Sequence, residues 1–137
     1  MDVNKQQIIE YLEIVFPQSL KKCEVVSLEA QGATVLYKVD DSDLRPGGTV
    51  SGPAMMTIAD FAFYIAIFSA IGLESMAVTS QLNFNFLRKP SAKVDLKAQA
   101  HLIKIGKQLV VGEVWVYSLD QTEPVAHATG SYVLPLP

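Results

Sequence analysis

Apolar and polar residues are arranged along the chain with two different periods, interrupted by one aperiodic and one wholly apolar stretch. Near the start, Ile8, Ile9, Leu12, Val15 and Phe16 fall at helical spacing and Pro17 forbids a regular continuation, which predicts a short amphipathic helix. From Cys23 to Val39 the apolar residues alternate in two runs broken at Gln31-Gly32, the pattern of two strands joined by a turn. Ser42 to Gly52 has no period and is rich in Gly and Pro, a loop of the kind on which rigid scaffolds carry their sites. Pro53 to Ile71 is then apolar all round. Ser51-Gly52 can cap this segment, Pro53 suits its first turn and Gly72 its end, so a long helix is predicted. Beyond Gly72 the period becomes two. Val78, Ser80, Leu82, Phe84 and Phe86 alternate with Thr79, Gln81, Asn83 and Asn85, and strands are also predicted over Val94–Leu102, Leu109–Ser118 and Val125–Leu134. The connections between them are short and polar, which implies an antiparallel sheet.

A helix without a polar face is either a membrane span or the buried centre of a domain. Three features favour the buried centre: Asp60 lies within it, no Lys/Arg cluster flanks it, and everything downstream is strand-like. Its sides differ, with Ala59, Ala62, Ala66 and Ala70 in a small stripe and Ile58, Phe61, Ile65 and Phe68 in a bulky one. The expected architecture is α+β: a short N-terminal helix and a six-stranded antiparallel sheet wrapped around the long central helix, as one domain over residues 1–137.

Composition adds few constraints. Half of the 137 residues are hydrophobic, enough for a sizeable core and, in a chain this short, enough to imply apolar surface hidden against another copy of itself. The net charge of −3 contains no block of either sign, which argues against nucleic-acid binding. The single Cys23 makes no intrachain disulfide, and Met1-Asp2-Val3-Asn4-Lys5 lacks the basic-then-apolar pattern of a signal peptide, so a cytoplasmic location is expected. His101 and His127 stand far apart with no Cys nearby, and no metal is expected.

Asp60 carries the chemical interest. A helix interior gains nothing from Asp, and its neighbours one turn away, Met56, Thr57, Phe63 and Tyr64, form an apolar setting in which a carboxylate near a reacting centre becomes a better base or nucleophile. The second candidate is the helix start at Ser51-Gly52-Pro53, where unpaired backbone N–H groups and the positive end of the helix dipole can hold an oxyanion, although an ordinary cap has the same residues.

These residues resemble a known family. Val50-Ser51-Gly52-Pro53 through Ala59-Asp60 is similar to the Val-His-Gly-Gly start and Leu-Ala-Asp segment of the hotdog-fold acyl-CoA thioesterases of the phenylacetate-pathway (PaaI-like) type, with Gly and Asp at matching separation. Val78-Thr79-Ser80-Gln-Leu-Asn83-Phe-Asn-Phe-Leu87, Ile103-Lys-Ile-Gly-Lys107 and Val125-Ala-His-Ala-Thr-Gly130 resemble its later strands. The resemblance implies that Asp60 activates water or attacks the thioester carbonyl, that the Gly52 N–H polarises the carbonyl oxygen, and that Thr79 positions water. It also implies a homo-oligomer, a dimer or a dimer of dimers (homotetramer), with Asp60 and Gly52 of one site coming from different subunits. The substrate is an acyl-CoA, so coenzyme A arrives with it and no separate cofactor is expected.

Two positions depart from the family: Ser51 stands at its usual His and Arg45 at its usual upstream Asn. Ser51 can still donate a hydrogen bond and Arg45 can still bind a carbonyl or phosphate. Asn83 falls within the family's strand motif and is a substrate-binding candidate. Arg88, Lys89, Lys104 and Lys107 lie at strand ends and are candidates for the phosphates of coenzyme A. Met55, Met56, Phe63, Tyr64 and Ile67 point to an apolar acyl group, aromatic or medium-chain. A hotdog dehydratase would need an active-site-loop His, and none occurs between Met1 and Ala100. A non-catalytic acyl-CoA-binding or sensing protein is the alternative from another class.

Overall fold

The structure, a computed structural model, describes residues 3–136. Met1 and Asp2, the first residues of the segment read above for a leader, lie outside the described residues, as does Pro137. Helix α1 spans Lys5–Val15 and starts in a capping box, the Asn4 side chain accepting from the Gln7 N–H and the Gln7 side chain from the Asn4 N–H. Ile8 and Leu12 are its fully buried residues. Pro17 ends it, as expected, but also opens a 3₁₀ turn over Pro17–Lys21 that the period-based reading did not anticipate. Strands β1 (Cys23–Glu29) and β2 (Gly32–Tyr37) form a hairpin turning at Ala30 and Gln31, with Gln31 at φ 53°.

Helix α2 runs over Gly52–Ile71; the Ser51 hydroxyl accepts from the Ala54 N–H at 3.3 Å, and Gly72 ends the helix at φ 96°, where a Cβ would be strained. Strands β3 (Val78–Phe86), β4 (Leu96–Ile105), β5 (Leu109–Ser118) and β6 (Ala126–Val133) complete one antiparallel sheet in the order β1-β2-β4-β5-β6-β3. This sheet curls around α2, which packs on β2, β4 and β5, in the hotdog arrangement. Both stripes of the helix are buried within the chain itself: Ala59, Ala62 and Ala66 are as fully buried as Ile58, Ile65 and Phe68, and Phe68 also packs against Tyr11 of α1. Each large side chain buried in this way contributes about 1.5–3 kcal/mol, which explains why a helix with no polar face is stable here.

The strict period-two pattern fails once where it matters. In β3, Thr79 faces Tyr132 and Gln81 faces Ser131, so Ser80 is the extra residue of a β-bulge. Beyond the bulge the faces exchange. Thr79 therefore shares the inner face with Leu82, Phe84 and Phe86, opposite Gly130, Ala128 and Ala126 of β6, instead of alternating with them. A second bulge, at Ile103 in β4, leaves that residue exposed.

The loop before α2 is fixed by Asp43, which is 7% exposed. Its carboxylate accepts from Lys22 Nζ at 2.5 Å, the Tyr37 hydroxyl at 2.7 Å and the Asp40 N–H at 3.0 Å, while its carbonyl accepts from the Ser51 N–H at 2.7 Å. Burial works against ionisation of both Asp43 and Lys22, yet their hydrogen bonds outweigh it, so the carboxyl lies below its ordinary 3.8 and the ammonium above its ordinary 10.5. The pair thus contributes fully between those two ordinary values; the Asp43 share is lost as pH falls through its depressed folded value and the Lys22 share as pH rises through its raised one. Asp43→Ala is expected to cost about 2 kcal/mol in urea unfolding at neutral pH, with the deficit shrinking in acid.

Candidate active site

A cleft of about 770 Å³ opens between α2 and the 3₁₀ turn. One helical stripe of α2 forms its main wall: Pro53, Met56, Thr57, Asp60, Phe61 and Tyr64. Phe16, Lys21 and Lys22 face it, and Cys23, Tyr37 and Tyr132 also line the space. The Cys23 thiol is pushed up to about 11 by burial, so it is a neutral wall and not a nucleophile. Burial, helped by Tyr11 and Glu74, lifts the Tyr64 phenol to about 12, and its hydroxyl donates to the Ser75 carbonyl at 2.9 Å.

Asp60 is half-buried in this stripe. Its Oδ1 accepts from the Thr79 hydroxyl at 2.6 Å and from the Tyr132 hydroxyl at 2.6 Å. Among the described residues no donor reaches Oδ2, so the carboxylate, which lines the cleft, is clamped by one oxygen and keeps the other free of hydrogen bonds. The bulge at Ser80 makes this possible, because it turns Thr79 inward beside Tyr132.

The start of α2 supplies a different element. Pro53 has no N–H, and the N–H groups of Ala54 and Met55 go to the hydroxyl and carbonyl of Ser51, each at 3.3 Å. Among the described residues this leaves the Gly52 N–H as the unpaired donor. Gly52 sits against Phe86, whose ring would lie 3.5 Å from an added Cβ. Eight residues of helix separate Gly52 from Asp60, about 12 Å at 1.5 Å per residue. Within one chain the donor and the carboxylate cannot act on the same carbonyl.

Comparison with known proteins then decides the family. The model of the thioesterase superfamily matches residues 47–125, more than half of the chain. The chain belongs to the thioesterase superfamily. A protein of Silicibacter sp. TM1040 with a provisional thioesterase name is 38% identical and superposes with a TM-score of 0.88 over 97% of this chain and 92% of that one. The PaaI protein of the phenylacetic acid degradation operon of E. coli is 25% identical, TM-score 0.78, over 94% and 90% of the two chains. A hypothetical thioesterase of Streptococcus pneumoniae TIGR4, solved with coenzyme A, has the same fold at 19% identity, TM-score 0.76, over 93% of this chain and 96% of that one. No curated protein matches the sequence significantly.

The protein is thus a thioester hydrolase of the hotdog fold, with PaaI-type relatives. The thioesterase fold brings Asp60, Thr79, Met56 and Tyr64 together around the cleft and holds Ser51 and Gly52 at the start of the helix, about two turns before Asp60. Arg45 is exposed on the loop, its N–H bonded to the Thr49 carbonyl. Asn83, opposite Thr129, points to the outer face, away from Asp60 of its own chain. Met55, Phe63 and Ile67 face the core, leaving only Met56 and Tyr64 of the five apolar candidates on the cleft.

The four candidate cations separate into two groups. Arg88, paired with Glu123 at 2.7 Å, and Lys89 lie beyond the Phe86 end of β3; Lys104 and Lys107 lie at the opposite end of the sheet, Lys107 beside a second hollow with Glu74 and Leu134. Sequence reasoning missed Tyr132. Its signal was an inward strand position occupied by Tyr, whose hydroxyl needs a partner when buried. Among the described residues no group of three or more His, Cys, Asp or Glu side chains could hold a metal ion.

Proposed function

We propose that this thioesterase hydrolyses the thioester of an acyl-coenzyme A carrying an aromatic or medium-chain acyl group, in a site shared by two subunits. The observation that carries the reading is the Asp60 carboxylate, lining an apolar cleft and held on Oδ1 by two hydroxyls, with no donor on Oδ2 among the described residues. Oδ2 takes a proton from a water that the Thr79 hydroxyl helps to place, and the water oxygen bonds to the thioester carbonyl carbon. The carbonyl electron pair moves to oxygen, where an N–H of Gly52 holds it. Collapse expels the thiolate, which takes back the proton from Asp60, giving free acid and coenzyme A.

The placement of the donors supports a second subunit in the site. β3 is a sheet edge with one unpaired side, and Val78 and Phe86 on it are 58% and 51% exposed. Pairing β3 with its copy antiparallel about Leu82 sets Val78 of one chain opposite Phe86 of the other. This carries the other subunit's Gly52, which packs on Phe86, to the Thr79 and Asp60 end. The same operation moves Arg88 and Lys89 of one copy toward Lys104 and Lys107 of the other, supporting a shared phosphate region.

The dimensions of the cleft support the acyl class. From Pro53 to Asp60 it runs about 10 Å along α2, and from Asp60 to Tyr64 about 6 Å, at 1.5 Å per residue. That length suits a phenyl ring or a medium alkyl chain. Thiol release from a graded series of CoA esters is expected to peak with medium-chain and aromatic acyl groups and to fall off at palmitoyl length. A rate still rising at palmitoyl would show that this cleft does not hold the acyl group, and no release from any ester would reject acyl-CoA as substrate.

A further inference from the structure

We infer that Tyr132 is a positioning residue of the reaction: its hydroxyl holds the Asp60 carboxylate so that Oδ2, and not Oδ1, faces the substrate. The inference rests on Asp60 as the base. Tyr132 is 3% exposed on β6, directly opposite Thr79, with its ring stacked on Phe63 at 4.8 Å between centroids. Its hydroxyl lies 2.6 Å from Asp60 Oδ1 and 3.1 Å from the Asp60 backbone carbonyl oxygen. With one proton to give, it donates to the nearer carboxylate oxygen.

Two features make this more than a buried tyrosine finding a partner. First, Thr79 and Tyr132 converge on the same oxygen from neighbouring strands, so the carboxylate cannot rotate to exchange its oxygens without breaking both bonds. Oδ1 is thereby the poorer base, and the lone pairs of Oδ2 are the ones presented to water. Second, the tyrosine is committed to donating. Burial, followed by the charge and hydrogen bond of Asp60, raises its phenol far above the ordinary value, so it remains protonated and does not compete as the base. Its aromatic anchor is separate from the hydroxyl: Phe63 fixes the ring, and the oxygen does the positioning.

Tyr132→Phe keeps the stacked ring and removes the donor. In the full-length protein, kcat for the best CoA ester is expected to fall on the order of tenfold, the effect of one hydrogen bond to a charged group, with KM within about twofold and little change in thermal midpoint. Adding Thr79→Val is expected to cost more than the two single losses combined, because either bond alone still holds Oδ1 and only the double loss lets the carboxylate turn freely. Unchanged kcat in Tyr132→Phe, or a loss expressed only in KM, would overturn the inference. If Asp60→Asn is inactive while Tyr132→Phe is fully active, the inference fails and the proposed function stands. Should Tyr132→Phe not fold, the wild-type hydroxyl proton provides the reading. A downfield, slowly exchanging resonance that disappears in Asp60→Ala supports the bond; a resonance indifferent to Asp60→Ala overturns it.

Discussion

Asp60→Asn is expected to lower kcat by at least on the order of 10²-fold while leaving the fold intact. Asparagine has the same shape and retains a side-chain oxygen that can accept from Thr79 and Tyr132, so the clamp survives. What it lacks is the basic oxygen facing the cleft. The substitution also removes a charge from a half-buried position, so the thermal midpoint should hold or rise. Loss of rate with unchanged stability, measured by thiol release and thermal unfolding on one preparation, is the expected result.

Gly52→Pro tests the other half of the site by replacing the Gly52 N–H with the ring carbon of proline. Gly52 is the first residue of α2, a position at which proline is well accommodated, and an added Cβ there meets the Phe86 ring at an ordinary 3.5 Å. The fold should therefore tolerate the change. The unpaired N–H is lost, and loss of one oxyanion donor typically costs about 10²- to 10³-fold in kcat. Gly52→Ala keeps the N–H and should retain most activity, which separates loss of the donor from crowding of Phe86. A proline variant as active as the wild type would remove Gly52 from the mechanism.

Much of this arrangement is legible in the sequence. A carboxylate at residue 60 in a run of otherwise apolar side chains marks itself, and the switch from helical spacing to alternation after Gly72 distinguishes one buried helix from the strands around it. The bulge at Ser80 was not legible. Thr79, Ser80 and Gln81 are all polar, so either phase of alternation reads equally well, and the register is set by pairing with β6. The same register, which the sequence does not reveal, places the Asn83 side chain on the outer face of its own subunit, away from its own Asp60. Tyr132 was hidden for another reason: in a strand an aromatic residue reads as packing, and its hydroxyl partner is 72 residues away in sequence. The buried cluster of Lys22, Tyr37 and Asp43 is likewise non-local. Strand ends could be predicted as the place of Arg88, Lys89, Lys104 and Lys107, but only the topology assigns them to opposite ends of the sheet.

The shared site is tested most directly by co-expressing Asp60→Asn and Gly52→Pro subunits under different affinity tags. Each variant alone is nearly inactive. In a mixed dimer one site has both defects and the other has neither, so the isolated heterodimer should recover about half of the wild-type kcat per dimer. Recovery to that level supports a carboxylate from one subunit acting with an N–H from the other; a purified heterodimer as inactive as its parents would contradict it.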